Sequence, residues 1–457
     1  MKPIVAIVGR PNVGKSTFFN RLIGERKAIV EDIPGTTRDR LYGDTVWNGR
    51  EFTVVDTAGL LFEEEDLTEG TPHVEIARNV RAQAEMAIAE ADAILFLVDA
   101  EEGLTTADAE VAEVLRKTSK PVVLAANKAD NPARKLNAVE FYALNLGDPI
   151  AMSAYHSIDT GDVLDKLTES LPIIEEEEIE VDLRIAIVGR PNVGKSSLLN
   201  RLLGKQRSVV SDVPGTTRDT IDTLIEYDGK RILLIDTAGI RRRGKIEQGI
   251  EKYSVLRALR AIERADVTLL LIDASEGVTA QDQHVAGMVV EQLKGLAILV
   301  NKWDKVEKDD FTFDAFTTHV RDEFAFLSYA PLLFISAMSG QRVDRVLPLA
   351  LEIGQEREKR ISTSELNNLL REAVYDHQPT SMHKGAHLRI FYATQPQASP
   401  PVFLFFTNDS TQVHWGYGRY LENRIREKYG FTGTPIKVVF RSREEPENDK
   451  KKRKSGS

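Results

Sequence analysis

Gly9-Arg-Pro-Asn-Val-Gly-Lys-Ser-Thr17 sets glycines at 9 and 14 ahead of a lysine and two hydroxyl residues. Glycines let successive backbone N–H groups wrap a phosphate, and a helix opening there adds positive potential. Lys15 would reach the β- and γ-phosphates and the Ser16 hydroxyl a Mg²⁺ ion, with Asn12, Val13 and Thr17 completing the loop. The segment recurs at 189–197, where Gly189, Asn192, Val193, Gly194, Lys195, Ser196 and Ser197 take the same places. One Gly-rich loop can be merely a turn; two with the same companions argue against that.

Those companions come in one order. Asp56-Thr-Ala-Gly59 and Asp236-Thr-Ala-Gly239 each end an apolar run, which sets a carboxylate at a sheet edge. There Asp56 and Asp236 can hold Mg²⁺ through water, while the N–H of Gly59 or Gly239 meets a γ-phosphate oxygen. Asn127-Lys128-x-Asp130 and Asn301-Lys302-x-Asp304 specify the base. Their acceptor-only carboxylate takes guanine N1–H and N2–H₂, whereas adenine would set a lone pair against a desolvated charge. The lysine stems can lie over the base plane. Ser153-Ala154 and Ser336-Ala337 follow further apolar runs, and each alanine amide is a candidate donor to guanine O6. Alone, Asp-Thr-Ala-Gly could be a capping turn and Asn-Lys-x-Asp a polar surface turn. Pro34-Gly-Thr-Thr-Arg-Asp39 and Pro214-Gly-Thr-Thr-Arg-Asp219 add two threonine pairs, of which Thr37 and Thr217 are favoured over Thr36 and Thr216 to close on Mg²⁺. These residue types point to binding of a guanine nucleotide, GTP or GDP, at two sites.

The elements that must position these residues follow from the duplication. The first three motifs are offset by 180 residues, Asn-Lys-x-Asp by 174 and Ser-Ala by 183, too long a period for a solenoid. Each copy alternates short apolar runs with amphipathic stretches, as in a mostly parallel sheet with helices on both faces. Strands are expected at 4–8, 52–55, 94–98 and 122–125, then at 184–188, 232–235, 268–272 and 297–300, with helices at 80–90 and 253–264. The fold class is α/β: two tandem P-loop GTPase domains, 1–170 and 184–354. An acidic linker, 171–183, containing Glu175-Glu-Glu-Glu178, is extended and solvated or else a frayed helix end.

Residues 355–443 carry no repeat. A helix at 362–375 capped by Ser362 and Glu365, strands at 387–393 and 402–407, a basic helix at 420–429 and a strand at 436–440 suggest an α+β domain on a small antiparallel sheet. The tail, 444–457, ends in Lys450-Lys-Lys-Arg-Lys454; it cannot build a core, is expected to be disordered, and either meets nucleic-acid phosphate or only solubilises.

Composition narrows the classes. With no Cys, disulfide scaffolds, thiolate metal sites and Cys nucleophiles are excluded. No apolar run approaches the ~20 residues of a membrane span, and residues 1–9 show no cleavage site, so a cytoplasmic protein without membrane association is expected. The net charge of −10 hides a gradient. Residues 1–182 carry 18 basic against 35 acidic side chains, 183–354 carry 24 against 23, and 355–457 carry 18 against 12. After Asp-x-x-Gly the copies diverge, Leu60-Leu-Phe-Glu-Glu-Glu-Asp66 against Ile240-Arg-Arg-Arg-Gly-Lys245. The basic stretch suits RNA phosphate, an acidic neighbouring face, or solvent.

In this order the motifs resemble the translation-factor-like class of GTPases. Two such domains, both with Gly-Arg-Pro-Asn-Val-Gly-Lys-Ser and Pro-Gly-Thr-Thr-Arg-Asp, resemble the bacterial double-GTPase family called Der or EngA over essentially the whole chain. The resemblance implies a GTP-hydrolysing switch in assembly of the large (50S) ribosomal subunit, with that subunit and its rRNA as partners, acting as a monomer, and a C-terminal KH-like domain. A KH domain clamps nucleic-acid backbone with a Gly-x-x-Gly loop between two helices. Gly430-Phe-Thr-Gly433 has the spacing but lies between a helix and the last strand, so docking on the G domains rivals RNA binding. Where Ras-like enzymes carry a water-orienting Gln, this chain has Leu60 and Ile240, and slow intrinsic turnover is expected. Related GTPases with that replacement use K⁺, liganded by the Asn matched here by Asn12 and Asn192; the same Asn would also suit a turn with unusual backbone angles. The alternative is a GTPase-driven RNA-modification or RNA-remodelling factor, against which stands the lack of any further cofactor motif. A membrane-remodelling GTPase is disfavoured by the lack of a long amphipathic segment.

Overall fold

The computed structural model describes residues 2–24, 42–57, 85, 91–172, 180–205, 209–214, 221–237, 255–307, 309, 311–379 and 388–442. The helix expected at 80–90 (residue 85 apart), both threonine pairs, Gly59, Gly239, the divergent stretches after them and the tail lie outside these residues.

In the first G domain six strands form one sheet in the order β2-β3-β1-β4-β5-β6. They are β1 Ile4–Val8, β2 Tyr42–Trp47, β3 Arg50–Asp56, β4 Ala93–Asp99, β5 Val122–Asn127 and β6 Ile150–Ala151. Every residue of β1 and β4 is buried, which is why they are unbroken apolar runs rather than alternating ones. Edge strand β2 runs antiparallel to β3 and buries only Tyr42 and Thr45, so its sequence gives a weak signal. Phe18, Phe19 and Leu22 of the helix Lys15–Gly24 pack into the core with Val5, Ile7 and Val13. Because β1 lies between β3 and β4, the connections on its two sides diverge and leave a crevice at the carboxyl ends of the strands.

Among the described residues the second G domain repeats this arrangement with one strand more: β13-β12-β11-β7-β10-β9-β8. The ranges are β7 Leu183–Val188, β8 Val209–Pro214, β9 Ile221–Tyr227, β10 Lys230–Ile235, β11 Val267–Asp273, β12 Gly295–Asn301 and β13 Leu332–Phe334. Strand β9 pairs antiparallel with β10 as β2 does with β3, and the further strand β8 adds antiparallel to β9 at the sheet edge, ending at Pro214. The helix expected at 253–264 is described from Val255 to Arg264. No helix among the described residues is long and apolar enough to cross a membrane.

The two ends of the acidic stretch are described. Leu171 is buried in the first core, and Arg50 donates to its carbonyl at 3.0 Å. Asp182 exchanges hydrogen bonds with Arg231, extending the second sheet. At the other end of that domain the helix Val346–Glu358 runs unbroken through residues 354–355.

The C-terminal region has the expected helix, Thr363–Asp376, with the full Ser362–Glu365 capping box. Its sheet, β14 Ile390–Gln397, β15 Val402–Thr407 and β16 Lys437–Ser442, corrects the antiparallel expectation. β14 pairs antiparallel with β15, but β16 pairs parallel, because the helix Trp415–Tyr429 serves as a crossover that returns the chain to the same end. That helix begins five residues before the expected 420, capped by His414.

The Gly-x-x-Gly segment docks on the second G domain. Gly433 donates to the Tyr329 carbonyl at 2.8 Å and accepts from the Leu296 amide of β12 at 2.7 Å. Phe431 N–H donates to Glu356 at 2.6 Å, and the Arg426 guanidinium lies 4.1 Å from the Tyr329 ring centroid. Gly433 has φ +67, and a Cβ there would lie 2.6 Å from Ile353 Cγ1, so this contact excludes any side chain. Gly433→Val should therefore release the docked loop: hydrogen exchange at the Leu296 amide should accelerate by about tenfold or more, while amides within the β11–β12 ladder keep their protection. Unchanged exchange at Leu296 would count against this role for the loop.

Candidate nucleotide sites

All the expected motif residues that the structure describes gather at the carboxyl edge of their sheet. Gly9 follows β1, Asp56 ends β3, Asn127 ends β5 and Ser153 follows β6. Gly189, Asp236, Asn301 and Ser336 sit at the same edge of the second sheet. The helices Lys15–Gly24 and Lys195–Lys205 begin at the two lysines, so the loop amides precede a helix N-terminus in both domains.

Within the loops, Lys15 Nζ donates to the Gly9 and Arg10 carbonyls, both at 2.7 Å, and Lys195 Nζ donates to Gly189 at 2.7 Å and to Arg190. Burial pushes the Lys15 ammonium down to about 8, against the pull of Asp56; an arriving phosphate would draw it back up. Ser16 Oγ donates to Asp56 Oδ2 at 2.6 Å, bringing hydroxyl and carboxylate oxygens together as a hard cation requires. Thr17 and Ser197 are exposed, whereas Val13 and Val193 are buried. The valines anchor the loop in the core, so only their backbone can face a nucleotide. Asn12 and Asn192 adopt φ +65 and +61, so the left-handed turn already accounts for their residue type.

The base loops are built around one carboxamide per domain. Asn127 is buried; its Nδ2 donates to the Val13 carbonyl at 2.7 Å and its Oδ1 accepts from the Ala154 amide at 2.8 Å. Asn301 repeats both bonds, to Val193 at 2.7 Å and from Ala337 at 2.9 Å. The Ala154 and Ala337 amides, candidate donors to guanine O6, donate here to these asparagines. Gly14 and Gly194 are required here as well: a Cβ on either would lie 2.2 Å from the asparagine Nδ2.

Lys128 and Lys302, at φ +64 and +61, pair with Asp99 at 2.6 Å and Asp273 at 2.5 Å. Asp130 meets Arg134 at 3.0 Å, and Asp304 is exposed. Ser153 and Ser336 are buried and turn their loops, accepting from the amides of His156 and Ser339. Asp99 and Asp273 were missed by the sequence reading. They open a segment, Asp99-Ala-Glu-Glu-Gly-Leu-Thr-Thr-Ala-Asp108, that returns as Asp273-Ala-Ser-Glu-Gly-Val-Thr-Ala-Gln-Asp282 at the same offset of 174, so the internal comparison could have found them.

Removing either buried carboxamide should be costly. Asn127→Ala or Asn301→Ala orphans a carbonyl and an amide in the core and should destabilise its own G domain by about 2–4 kcal/mol in urea unfolding. A loss below about 1 kcal/mol would mean water replaces the bridge.

Comparison with known proteins agrees with this geometry. The model of a family described as 50S ribosome-binding GTPase matches residues 4–128 and again 184–302, and that of the KH-domain-like C-terminal region of EngA bacterial GTPase enzymes matches 360–441. GTPase Der of Chloroflexus aggregans is 70% identical over 448 residues, 98% of this chain and 99% of its own. GTPase Der of Herpetosiphon aurantiacus is 64% identical over 445 residues, 97% of each chain. A solved structure of Era in complex with MgGDPNP and nucleotides 1506-1542 of 16S ribosomal RNA covers 58% of this chain and 94% of its own at 21% identity, with a TM-score of 0.30, a likeness too slight to bear on function. Two phosphate loops, two guanine loops and relatives matched from end to end place the chain in the Der, or EngA, family of GTP-hydrolysing enzymes with tandem G domains and a KH-like domain.

Proposed function

We propose that both G domains bind GTP and hydrolyse it slowly to GDP, and that this exchange gates binding of the chain to the large ribosomal subunit and its rRNA during assembly. The chain is read as a cytoplasmic monomer. The observation that carries the reading is the repetition of a complete edge in each G domain: phosphate lysine, paired hydroxyl or carboxylate, and guanine loop. Lys15 and Lys195 would neutralise the phosphates, Asp130 and Asp304 would accept from the guanine N1–H and N2–H₂, and the stems of Lys128 and Lys302 would cover the base. Ser16, Asp56 and Thr37, and Ser196, Asp236 and Thr217, would hold Mg²⁺, which supplies charge stabilisation on the phosphates. Asn12 and Asn192 would supply a K⁺ ligand beside them, with Leu60 and Ile240 unable to orient water. The ribosomal part is supported by the printed description of the matching family.

The reading is tested with Lys15→Ala and Lys195→Ala, separately. Each should lower GTP hydrolysis by about tenfold or more at its own site and leave the other working. The wild-type chain should co-sediment with isolated large subunits in a GTP analogue and not in GDP, and exchanging K⁺ for Na⁺ should slow hydrolysis. Co-sedimentation indifferent to the nucleotide would contradict the switch, and equal rates in the two salts would remove K⁺ from it.

A further inference from the structure

Arg10 and Arg190, the second residues of the phosphate loops, have no part in the chemistry described above, yet Arg10 is buried and Arg190 nearly so. Arg10 Nη1 donates to Glu102 at 2.6 Å, and its Nε lies 3.3 Å from Asp108. Arg190 meets Glu276 at 2.9 Å and Asp282 at 3.1 Å. Asp108 and Asp282 are themselves buried, each the third residue of a helix and reciprocally bonded with its cap, Thr105 or Thr279. Burial raises both carboxyls above their usual range, opposed by the arginine and the threonine. A buried carboxylate held against that cost, twice in one chain, marks a site where position matters.

The other end of the same segment grips the base loop. Asp99 pairs with Lys128 and turns the chain by accepting from the Glu101 amide at 2.9 Å; Asp273 pairs with Lys302 and accepts from the Ser275 amide at 2.9 Å. Ala100 and Ala274 donate to the carbonyls of Asn127 and Asn301 at 2.8 and 2.9 Å. In the first domain Glu101 and Asp130 also share Arg134. The arginine carbonyls, in turn, accept from Lys15 and Lys195. Ten residues thus touch the guanine loop at one end and, through one arginine, the phosphate loop at the other.

We infer that segments 99–108 and 273–282 are braces that hold the phosphate loop and the guanine loop at one fixed separation, with Arg10 and Arg190 as positioning residues on the phosphate side and Asp99 and Asp273 on the base side. A nucleotide spans both loops, so its affinity depends on that separation as well as on each contact. The inference rests on the reading that each G domain binds guanine nucleotide. If so, releasing either end frees the whole brace, and damage at both ends costs little more than damage at one.

The test is a double-mutant cycle on GDP affinity in the full chain: Arg10→Gln, Asp99→Asn and both, in a Lys195→Ala background, then Arg190→Gln, Asp273→Asn and both, with Lys15→Ala. Each single change should weaken GDP binding by about tenfold, and each pair should bind within about twofold of its weaker single. Losses that multiply to about a hundredfold would mean two unrelated contacts and overturn the brace. Glu102→Gln guards against misfolding, because this side chain is 61% exposed and its loss opens no core. It should weaken GDP several-fold with an unchanged unfolding midpoint; unchanged affinity would overturn the inference. A background that binds no GDP would instead point to failure of the two-site reading.

Discussion

The loops at the carboxyl edge of each G-domain sheet are tied together by one buried carboxamide. Asn127 and Asn301 use both ends of the side chain, donating to the phosphate loop and accepting from the second base loop. Nothing smaller reaches both groups, and an acid would set a second acceptor against the Val13 or Val193 carbonyl. The same carboxamide dictates Gly14 and Gly194, since any side chain there would collide with it. Three motifs that look independent in the sequence are therefore one packed unit.

That unit explains what could be read beforehand. Phosphate loops, Asp56 and Asp236, and the asparagines are short polar stretches placed where fully buried strands end, and such strands show as unbroken apolar runs, β4 and β11 most plainly. Strands half-exposed at a sheet edge, such as β2, lack that signal and went unseen. So did the sharing of the Ala154 and Ala337 amides, because spacing along a chain does not say which of two acceptors a donor meets. The acidic segments after β4 and β11 were overlooked for another reason: Asp, Glu and Thr near a helix start read as an ordinary cap, and their bonds to Arg10 and Arg190 join residues about ninety positions apart.

In the C-terminal domain the sequence left RNA binding and docking on the G domains as rivals for Gly430-Phe-Thr-Gly433, and the structure shows the segment docked. A Gly-x-x-Gly turn between a helix and a strand presents its backbone to the neighbouring G domain, and Gly433 closes on β12 through Leu296. The glycines serve close approach in both settings; what they approach is set by the crossover.

The central claim is that each G domain is a complete guanine site organised by its own asparagine. Equilibrium dialysis of GDP against the wild-type chain and Asn127→Ala tests it most directly. Two equivalents bound by the wild type and one by the variant, at free GDP well above the wild-type dissociation constants, are the predicted result. Two equivalents of unchanged affinity in the variant would contradict it.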